Sequence, residues 1–259
     1  MAAMGSGSWV REAERPFLRQ VEDWTAHVHA RGTWYLTDFL TPRERWIVES
    51  AARHAGLVTS DFGGYTDAER ARMLLMPDDW HPETSDYDIT CLSITTLEQP
   101  IRHRDVLGSV LGLGIQRKAL GDISVFDQKQ AYLFATSAMG SYLARELHRV
   151  GRSVVEVALM DELPQLLPPA YEEQDIFVMS PRIDAIVAQA CHLSRANAQE
   201  HVARGHVSLN FAEAVARDEV RAGDILSVRG FGRIRVVEAV GTSRSGRIRM
   251  RIGILRSDT

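Results

Sequence analysis

Arginine is the residue type in this chain that is best suited to bind an anionic partner. Residues 179–259 hold thirteen arginines and no lysine against eight acidic residues, which gives this stretch a net charge of +5. The whole chain carries a net charge of −4, so residues 1–178 together carry −9. A guanidinium group binds phosphate oxygens through paired hydrogen bonds and stacks on bases, whereas a lysine ammonium acts as a point charge. The charge step predicts a C-terminal module for a polyanion and a different task for the acidic remainder.

Ten side chains of this module are candidates for contact with RNA, because each lies near a predicted helix end, in a turn or along a predicted strand. They are Arg182, Arg195, Gln199, Arg204, His206, Arg229, Arg233, Arg235, Arg247 and Arg249.

Two short helices are predicted to position the first of these arginines. Apolar residues recur at helical spacing over 183–190, directly after Arg182. Ser194 is a natural N-cap for a second helix, and Gly205 suits the left-handed residue that ends it. Arg195 therefore begins the second helix, where the backbone amides and the helix dipole already attract phosphate.

Strands with a two-residue alternation follow the helices. Val207–Asn210 and Ile225–Val228 are short β patterns, and arginine occupies every second position over 233–235 and 247–251. The arginines of the last two strands are therefore expected on one face, as a cationic surface behind the helix ends. A charged sheet edge that prevents aggregation would look similar. Lysine would serve that purpose equally well, so RNA contact is the favoured interpretation.

Residues 89–178 alternate clearly between strand and helix, and they are predicted to form a ferredoxin-like domain. The elements are strand Ile89–Thr96, helix Arg104–Ile115, strands Ile123–Phe126 and Tyr132–Ala135, helix Ser137–Val150 and strand Val154–Met160. This βαββαβ order is shared with RNA-recognition domains. The glycine-flanked aromatic pattern of those domains is not evident around Phe126, Tyr132 and Phe134, and a packed sheet explains these rings as well as base stacking does.

Residues 9–88 are predicted to be mainly helical. Thr41 and Pro42 form an N-cap and first-turn pair, and Gly56 ends that helix. A strand is expected from Leu57, and a second short helix over Asp67–Met76. With a small domain over 179–259, the predicted fold class is α+β in three parts.

Catalytic and metal-binding motifs are weak in this sequence. Residues 103–105 spell His-Arg-Asp, as in a kinase catalytic loop, but no asparagine follows at the required distance. Residues 112–114 lack the third glycine of a dinucleotide site. The pairs at 191–192, Cys-His, and His201 with His206 lack a third ligand or a supporting carboxylate. No catalytic residue, metal or cofactor is expected.

The composition favours an ordinary cytoplasmic protein. The chain has only two cysteines among 259 residues, and neither belongs to a CxxC pair. No apolar run approaches the roughly 20 residues that cross a bilayer, and the N-terminus lacks the basic start and apolar core of a secretory signal.

Two groups of segments carry a resemblance to a known family. The runs RIDAIVAQACHLSRANAQEHVARGHVSLN, at 182–210, and VRAGDILSVRGFGRIRV, at 220–236, resemble the RNA-binding domain of ribosomal protein S-four. Upstream, GGYTDAERARMLLMP, at 63–77, and IRHRDVLGSVLGLGIQRKALGDI, at 101–123, resemble the N-terminal region of the bacterial YlmH family, whose members carry such a domain at the C-terminus.

The resemblance implies a function beyond what charge alone indicates. YlmH-like proteins bind the large ribosomal subunit together with tRNA, in rescue of stalled nascent-chain complexes and, in some bacteria, in cell division. By similarity, Arg182 and Arg195 are the principal ribosomal-RNA contacts. Where the family has a glycine and a basic residue after the asparagine, this chain has Phe211-Ala212-Glu213, so the turn after Asn210 is expected to differ.

The favoured hypothesis is therefore a non-enzymatic RNA-binding factor whose partners are large-subunit ribosomal RNA and tRNA. Its acidic N-terminal half is a possible surface for a protein partner. The alternatives are an RNA-modifying enzyme that uses the S-four-like domain for delivery, and an adaptor in cell division.

Overall fold

The chain folds into two compact units, residues 1–168 and 169–259. The computed structural model describes residues 10, 12–126, 128–164, 166, 171–243 and 245–256. Residue 9, where the predicted N-terminal region begins, lies outside the described residues. The architecture is mixed α+β, as predicted.

The first unit begins with two helices that pack on a small sheet. Its elements are α1 (Arg15–Arg31), β1 (Tyr35–Leu36), α2 (Pro42–His54), β2 (Val58–Phe62) and β3 (Arg72–Met76). The N-cap of α2 is the predicted one, since the Thr41 hydroxyl accepts a bond from the Glu44 amide and the Glu44 carboxylate accepts one from the Thr41 amide. The strands form an antiparallel sheet in the order β1-β3-β2.

The prediction of a helix over Asp67–Met76 was wrong, because the second half of this segment is β3. All five residues of β3 are buried. Met73 and Leu75 pack against α1 and α2, while Leu74 and Met76 pack on the opposite face of the sheet. A strand buried on both faces shows no alternation in its sequence, so its apolar run resembles a buried helix.

The glycine-rich segment before β3 is tied to the next part of the same unit by one carboxylate. Asp122 accepts bonds from the Tyr65 hydroxyl at 2.8 Å, the Glu69 amide at 2.6 Å and the Arg70 amide at 3.1 Å. Burial raises the pKa of Asp122, and these bonds offset the rise only in part. The GGYTDAER motif therefore works as an anchor within the first unit.

The ferredoxin-like arrangement predicted from the sequence is present in the rest of the first unit. Its elements are β4 (Ile89–Thr95), α3 (His103–Gly112), β5 (Leu120–Phe126), β6 (Gln130–Thr136), α4 (Ser137–Glu146), β7 (Arg149–Val150), β8 (Ser153–Val154) and β9 (Glu156–Leu159). The four long strands form an antiparallel sheet in the order β5-β6-β4-β9. Helices α3 and α4 share a core with one face of this sheet. The short β7–β8 hairpin between α4 and β9 was not anticipated.

The second unit is a six-stranded antiparallel sheet with two helices on one face. Its elements are β10 (Glu172–Val178), α5 (Ile183–Ala190), α6 (Arg195–Ala203), β11 (Val207–Leu209), β12 (Ala212–Glu213), β13 (Ile225–Val228), β14 (Gly232–Thr242) and β15 (Ile248–Arg256). The strand order is β10-β15-β14-β13-β11-β12. Aliphatic residues of α5 and α6 share one core with alternate residues of the strands.

The division of the chain lies earlier than the predicted boundary between 178 and 179. Strand β10 pairs along its whole length with β15, from Glu172 opposite Ile254 to Val178 opposite Ile248. The acidic run at 172–175 is therefore the outer strand of the C-terminal sheet. Within this run Asp175 lies opposite Arg251 and pairs with both Arg249 and Arg251, whereas Glu172 and Glu173 lie opposite Ile254 and Gly253.

Candidate nucleic-acid interface

The helix ends of the second unit hold two arginines on one carboxylate. Arg182 is the N-cap residue of α5, and Arg195 is the first residue of α6. The hydroxyl of Ser194 accepts a bond from the Asn197 amide at 3.1 Å, so Ser194 caps α6 as predicted. Asp184, in the first turn of α5, lies between the two arginines.

Each arginine binds both oxygens of Asp184. The Nε and Nη2 atoms of Arg182 lie 3.2 and 3.1 Å from Oδ1 and Oδ2, respectively. In Arg195 the same two atoms lie 3.2 Å from Oδ2 and Oδ1, respectively. Gln199, one turn further along α6, donates from Nε2 to Oδ2 at 2.8 Å. Three of the predicted RNA contacts therefore converge on a single acceptor.

This arrangement places a buried anion beneath exposed cations. The Asp184 side chain is 0% exposed, whereas those of Arg182 and Arg195 are 35% and 47% exposed. Burial alone raises the pKa of Asp184, but the hydrogen bonds from Gln199, Arg195 and Arg182 outweigh it, and the resulting pKa lies below the ordinary value. Two guanidinium charges on one carboxylate leave a net positive charge, and two of the five N–H donors of each guanidinium are used in these bonds.

The arginines of the last two strands lie on the other side of the sheet. Ile234 and Ile254 pair across β14 and β15 in the core, on the face that the helices cover. Arg233, Arg235 and Arg251 alternate with core residues and so project from the opposite face. Period two thus separates arginine from aliphatic residues, as the sequence analysis expected. The expected single surface, with strand arginines directly behind the helix ends, is not formed.

Some of the strand arginines form ion pairs with acidic neighbours. Arg249 and Arg251 both bond to Asp175 on β10, and Arg251 also lies 3.6 Å from Glu238. Hydrogen bonds from Arg249 are the main reason that the pKa of Asp175 is lowered. The acidic partner of Arg249 was missed in the sequence because β10 was assigned to the preceding domain.

Two further strand arginines lie over aromatic rings. The guanidinium carbon of Arg233 is 5.6 Å from the centre of the Phe211 ring, and that of Arg235 is 5.9 Å from the centre of the Tyr171 ring. Such cation–π contacts hold a guanidinium plane where a base can stack on it.

The remaining predicted contacts are dispersed. Arg204 pairs with Glu200 one turn earlier in α6, and both side chains are exposed. His206 and Arg229, together with Arg233, line a cavity of about 440 Å³. This cavity lies on the sheet face from which Arg233, Arg235 and Arg251 project, which we call the strand-arginine face. Arg247 is exposed in the turn before β15.

The four-stranded β5-β6-β4-β9 sheet of the first unit has one partly exposed face that carries two aromatic rings. Phe126 and Tyr132 lie edge to face with ring centres 5.4 Å apart, and Phe126 is 41% exposed. Phe134, on the same face, is buried and packs against Tyr65. Phe134 therefore serves packing and Phe126 is exposed, whereas Tyr132 is partly exposed and also packs beside Phe134.

The cysteines and histidines considered as nucleophiles or ligands have other surroundings. Burial raises the pKa of Cys91 to about 12 and that of Cys191 to about 11. His201 and His206 face each other edge to face with ring centres 5.6 Å apart. Within the described residues, no group of three or more histidine, cysteine, aspartate or glutamate side chains could hold a metal ion. No helix in the described part of the chain is long and apolar enough to span a bilayer.

Exposed arginines at two helix ends and a ferredoxin-like sheet are features of an α+β protein that can bind an anionic partner such as RNA. Two family models match the chain: "YlmH, N-terminal" at residues 13–80 and "Putative RNA-binding domain in YlmH" at residues 82–162. The Bacillus subtilis (strain 168) "Ribosome-associated protein quality control protein P2" is 33% identical over 247 residues, which cover 93% of this chain and 95% of the relative. The chain therefore belongs to the YlmH family.

A solved structure supports the same assignment. The "Cell division protein ylmH from Streptococcus pneumoniae" superposes with a TM-score of 0.55 at 28% sequence identity, over 60% of this chain and 96% of that one. The fold class and the family predicted from the sequence are thus confirmed, and residues 82–162 are the match to the family's RNA-binding domain.

Proposed function

We propose that this protein docks on ribosomal RNA of the large subunit, together with tRNA, and acts in the cytoplasm in rescue of stalled nascent-chain complexes without catalysing a reaction. The observation that carries the proposal is the pair of guanidinium groups of Arg182 and Arg195, fixed side by side by the buried Asp184. The name of the Bacillus subtilis relative, a ribosome-associated quality control protein, supports this setting.

Fixed guanidinium pairs suit folded RNA. Structured RNA is recognised mainly through its shape, its phosphates and its 2′-hydroxyl groups, so fixed charges count for more than base-specific contacts. Because Asp184 restrains both arginines before RNA arrives, less side-chain entropy is lost on binding. Each phosphate contact that is removed is expected to cost about 1 to 3 kcal/mol of binding free energy.

The test is co-sedimentation of the protein with purified large subunits. In an Arg182→Gln/Arg195→Gln variant the amide nitrogen of each glutamine can occupy the place of the former Nε, so Asp184 keeps donors while two charges are lost. A matched Arg19→Gln/Arg53→Gln variant loses two charges from exposed positions of α1 and α2. We expect the Arg182→Gln/Arg195→Gln variant to stay in the supernatant, because it no longer binds the large subunits. The Arg19→Gln/Arg53→Gln variant should sediment with them like the wild type. Equal co-sedimentation of both would refute the assignment.

The tRNA part of the proposal concerns the first unit. Residues 82–162 match the RNA-binding family model, while the first unit, residues 1–168, has 17 basic and 23 acidic residues and so carries a net charge of −6. An acidic unit gains little from general attraction to RNA, so we expect contact through a few rings and basic side chains. Large subunits with bound tRNA should retain more of the full chain than subunits without tRNA. Retention that is independent of tRNA would remove this part of the proposal alone.

The non-enzymatic part has its own measurement. Ribosomal RNA and tRNA incubated with the protein are digested to nucleosides and analysed by mass spectrometry. We expect an unchanged set of nucleosides, and any new nucleoside would favour an RNA-modifying enzyme instead.

A role in cell division is the second candidate function, which the name of the Streptococcus pneumoniae protein supports. The division of the chain at 168/169 suggests how to separate the two roles. We expect a chain of residues 169–259 to keep ribosome binding and to lose a division role that depends on the acidic unit. A division defect that this fragment fully corrects would contradict a role for the first unit.

A further inference from the structure

The strand-arginine face of the second unit contains a cavity that is not lined by Asp184 or by the three side chains that bond to it. Its volume is about 440 Å³, and it lies between the turn after α6 and the turn that joins β13 to β14. The lining residues are basic, hydroxyl-bearing or small, apart from one aromatic residue and one valine, and none of them is acidic. They are Gly205, His206, Ser208, Phe211, Ser227, Val228, Arg229, Gly232 and Arg233.

The aromatic residue of this cavity has an unfavourable backbone conformation. Asn210 and Phe211 are the two central residues of the β11–β12 hairpin, with φ angles of +48° and +65°. Both positions of such a turn need left-handed residues, and asparagine followed by glycine is the preferred pair. Asn210 fits, because its side chain donates to Asp224 at 2.7 Å and accepts from the Ile225 amide at 2.8 Å. The hydrocarbon side chain of Phe211 cannot form hydrogen bonds of this kind to offset the unfavourable φ angle. Backbone strain of this kind often marks a functional position.

The side chain of Phe211 contributes to the wall of the cavity. Arg233 lies over the ring, with its guanidinium carbon 5.6 Å from the ring centre. An aromatic ring beside a guanidinium plane is the arrangement on which unpaired nucleobases stack in single-stranded RNA sites. The ring is partly exposed, so the strained turn directs apolar surface into a cavity lined by polar groups.

The floor of the cavity offers hydroxyl groups beside this platform. Ser208, Ser227 and Arg233 are register partners on β11, β13 and β14, so their side chains form one row on the face opposite to the helices. Serine hydroxyls both donate and accept, which suits the edge of a base or a ribose 2′-hydroxyl. Arg229 and His206 lie at the rim, where a charged donor can reach a neighbouring phosphate.

We infer that this cavity binds one unpaired nucleobase of RNA, stacked on Phe211 and Arg233, with Ser208 and Ser227 at its edge and Arg229 at the adjoining phosphate. The inference rests on the proposed function, because it assumes that the second unit meets RNA. It adds a second contact on the opposite side of the sheet from Asp184, and it assigns that contact to an unpaired nucleotide rather than to a helical segment.

The experiment uses the full chain and two fluorescein-labelled RNAs, a single strand of about ten nucleotides and a blunt duplex of the same length. A Phe211→Gly variant relieves the strained φ, so its melting temperature should equal or exceed that of the wild type. Its affinity for the single strand should nevertheless fall roughly 5- to 100-fold, the effect of one lost stacking partner, while duplex binding should change little. A Phe211→Trp variant should bind the single strand like the wild type.

A spectroscopic readout tests the stacking itself. A single strand that contains 2-aminopurine should lose fluorescence on binding to the wild type and to Phe211→Trp, and should keep it with Phe211→Gly. If Phe211→Gly melts below the wild type, Phe211→Asn replaces it, because asparagine also tolerates positive φ.

The outcomes separate this inference from the proposed function. Large-subunit binding that depends on Arg182 and Arg195, combined with wild-type single-strand affinity in Phe211→Gly, would overturn the nucleobase site alone. A wild-type chain that binds neither RNA and does not sediment with large subunits would overturn both.

Discussion

The Asp184 side chain is completely buried, yet the side chain of Arg195, whose guanidinium group it binds, is 47% exposed. This one ion pair joins the core of the second unit to its surface. Arg182 and Gln199 donate to the same carboxylate, so three side chains from two helices share a fixed point. The position of the exposed charges is therefore set by the packing of α5 against α6.

An Asp184→Asn substitution should destabilise the second unit. The new amide group would donate toward guanidinium groups that are themselves donors, and two cations would lose their shared anion. Because the two guanidinium groups left behind are partly exposed, the loss of these charge-assisted hydrogen bonds should cost about 1.5 to 3 kcal/mol of unfolding free energy. Urea unfolding followed by circular dichroism measures the loss. Glu200→Gln, which removes the exposed partner of Arg204, should change the unfolding free energy by at most about 1 kcal/mol; an equal effect of both substitutions would contradict the role of Asp184.

The stability difference between the wild type and Asp184→Asn should depend on pH in a defined direction. The pKa of Asp184 in the folded chain lies below 3.8, the ordinary value for aspartate that applies to the unfolded chain. The stabilisation is therefore fully present above that value and is lost as the pH falls through the lower folded pKa. We expect the difference in urea midpoint to be constant from neutral pH to about pH 5 and to shrink below about pH 4. A difference that grew on acidification would contradict this sign.

A Gly64→Ala substitution should disrupt the anchor between β2 and β3 in the first unit. A Cβ atom at this position would lie 2.3 Å from Cδ1 of the buried Phe134, and φ at Gly64 is +102°. We expect a loss of several kcal/mol or failure to fold, as measured by thermal unfolding. Gly108→Ala is the matched control, since nothing lies within 4 Å of its Cβ in helix α3. It should stabilise the chain by roughly 0.5 to 1 kcal/mol, because alanine favours a helix interior. A destabilised Gly108→Ala and a neutral Gly64→Ala would show that the packing has been assigned wrongly.

Both thiols should react slowly in the native chain. With pKa values of about 12 for Cys91 and about 11 for Cys191, very little thiolate exists at pH 8. We expect reaction with a disulfide reagent to be slow in buffer and fast in urea, in an absorbance assay. Fast native labelling of Cys91, which is completely buried, would contradict the structure of the β4–β6 sheet.

Local patterns were enough to predict the second unit's helices and the ferredoxin-like order, because helix caps and alternation act over a few residues. Ser194, Arg195 and Gly205 illustrate this, since each has the role its type suggests. Strand β3 was missed because burial on both faces removes alternation from its sequence. The conformation of that segment depends on tertiary packing, which cannot be inferred from a few neighbouring residues of the sequence.

The surroundings of the predicted contacts were harder to foresee. Period two correctly separated arginines from aliphatic residues, but the pairing of Asp175 with Arg249 and Arg251 depends on a strand partner far along the chain. The convergence of Arg182 and Arg195 on Asp184 likewise depends on how two helices pack. The unusual turn at Phe211 did have a local signal, namely an aromatic residue directly after Asn210 where glycine is favoured.

The most direct test of ribosomal-RNA docking by the Asp184-held arginines is the salt dependence of binding of the full chain to large-subunit RNA. Each neutralised phosphate contributes about 0.7 to 0.9 to the slope of log K against log salt concentration. The account predicts that Arg182→Gln/Arg195→Gln reduces the magnitude of this slope by roughly 1.4 to 1.8 relative to wild type, while Arg19→Gln/Arg53→Gln leaves it unchanged. Identical slopes for the wild type and the Arg182→Gln/Arg195→Gln variant would contradict it.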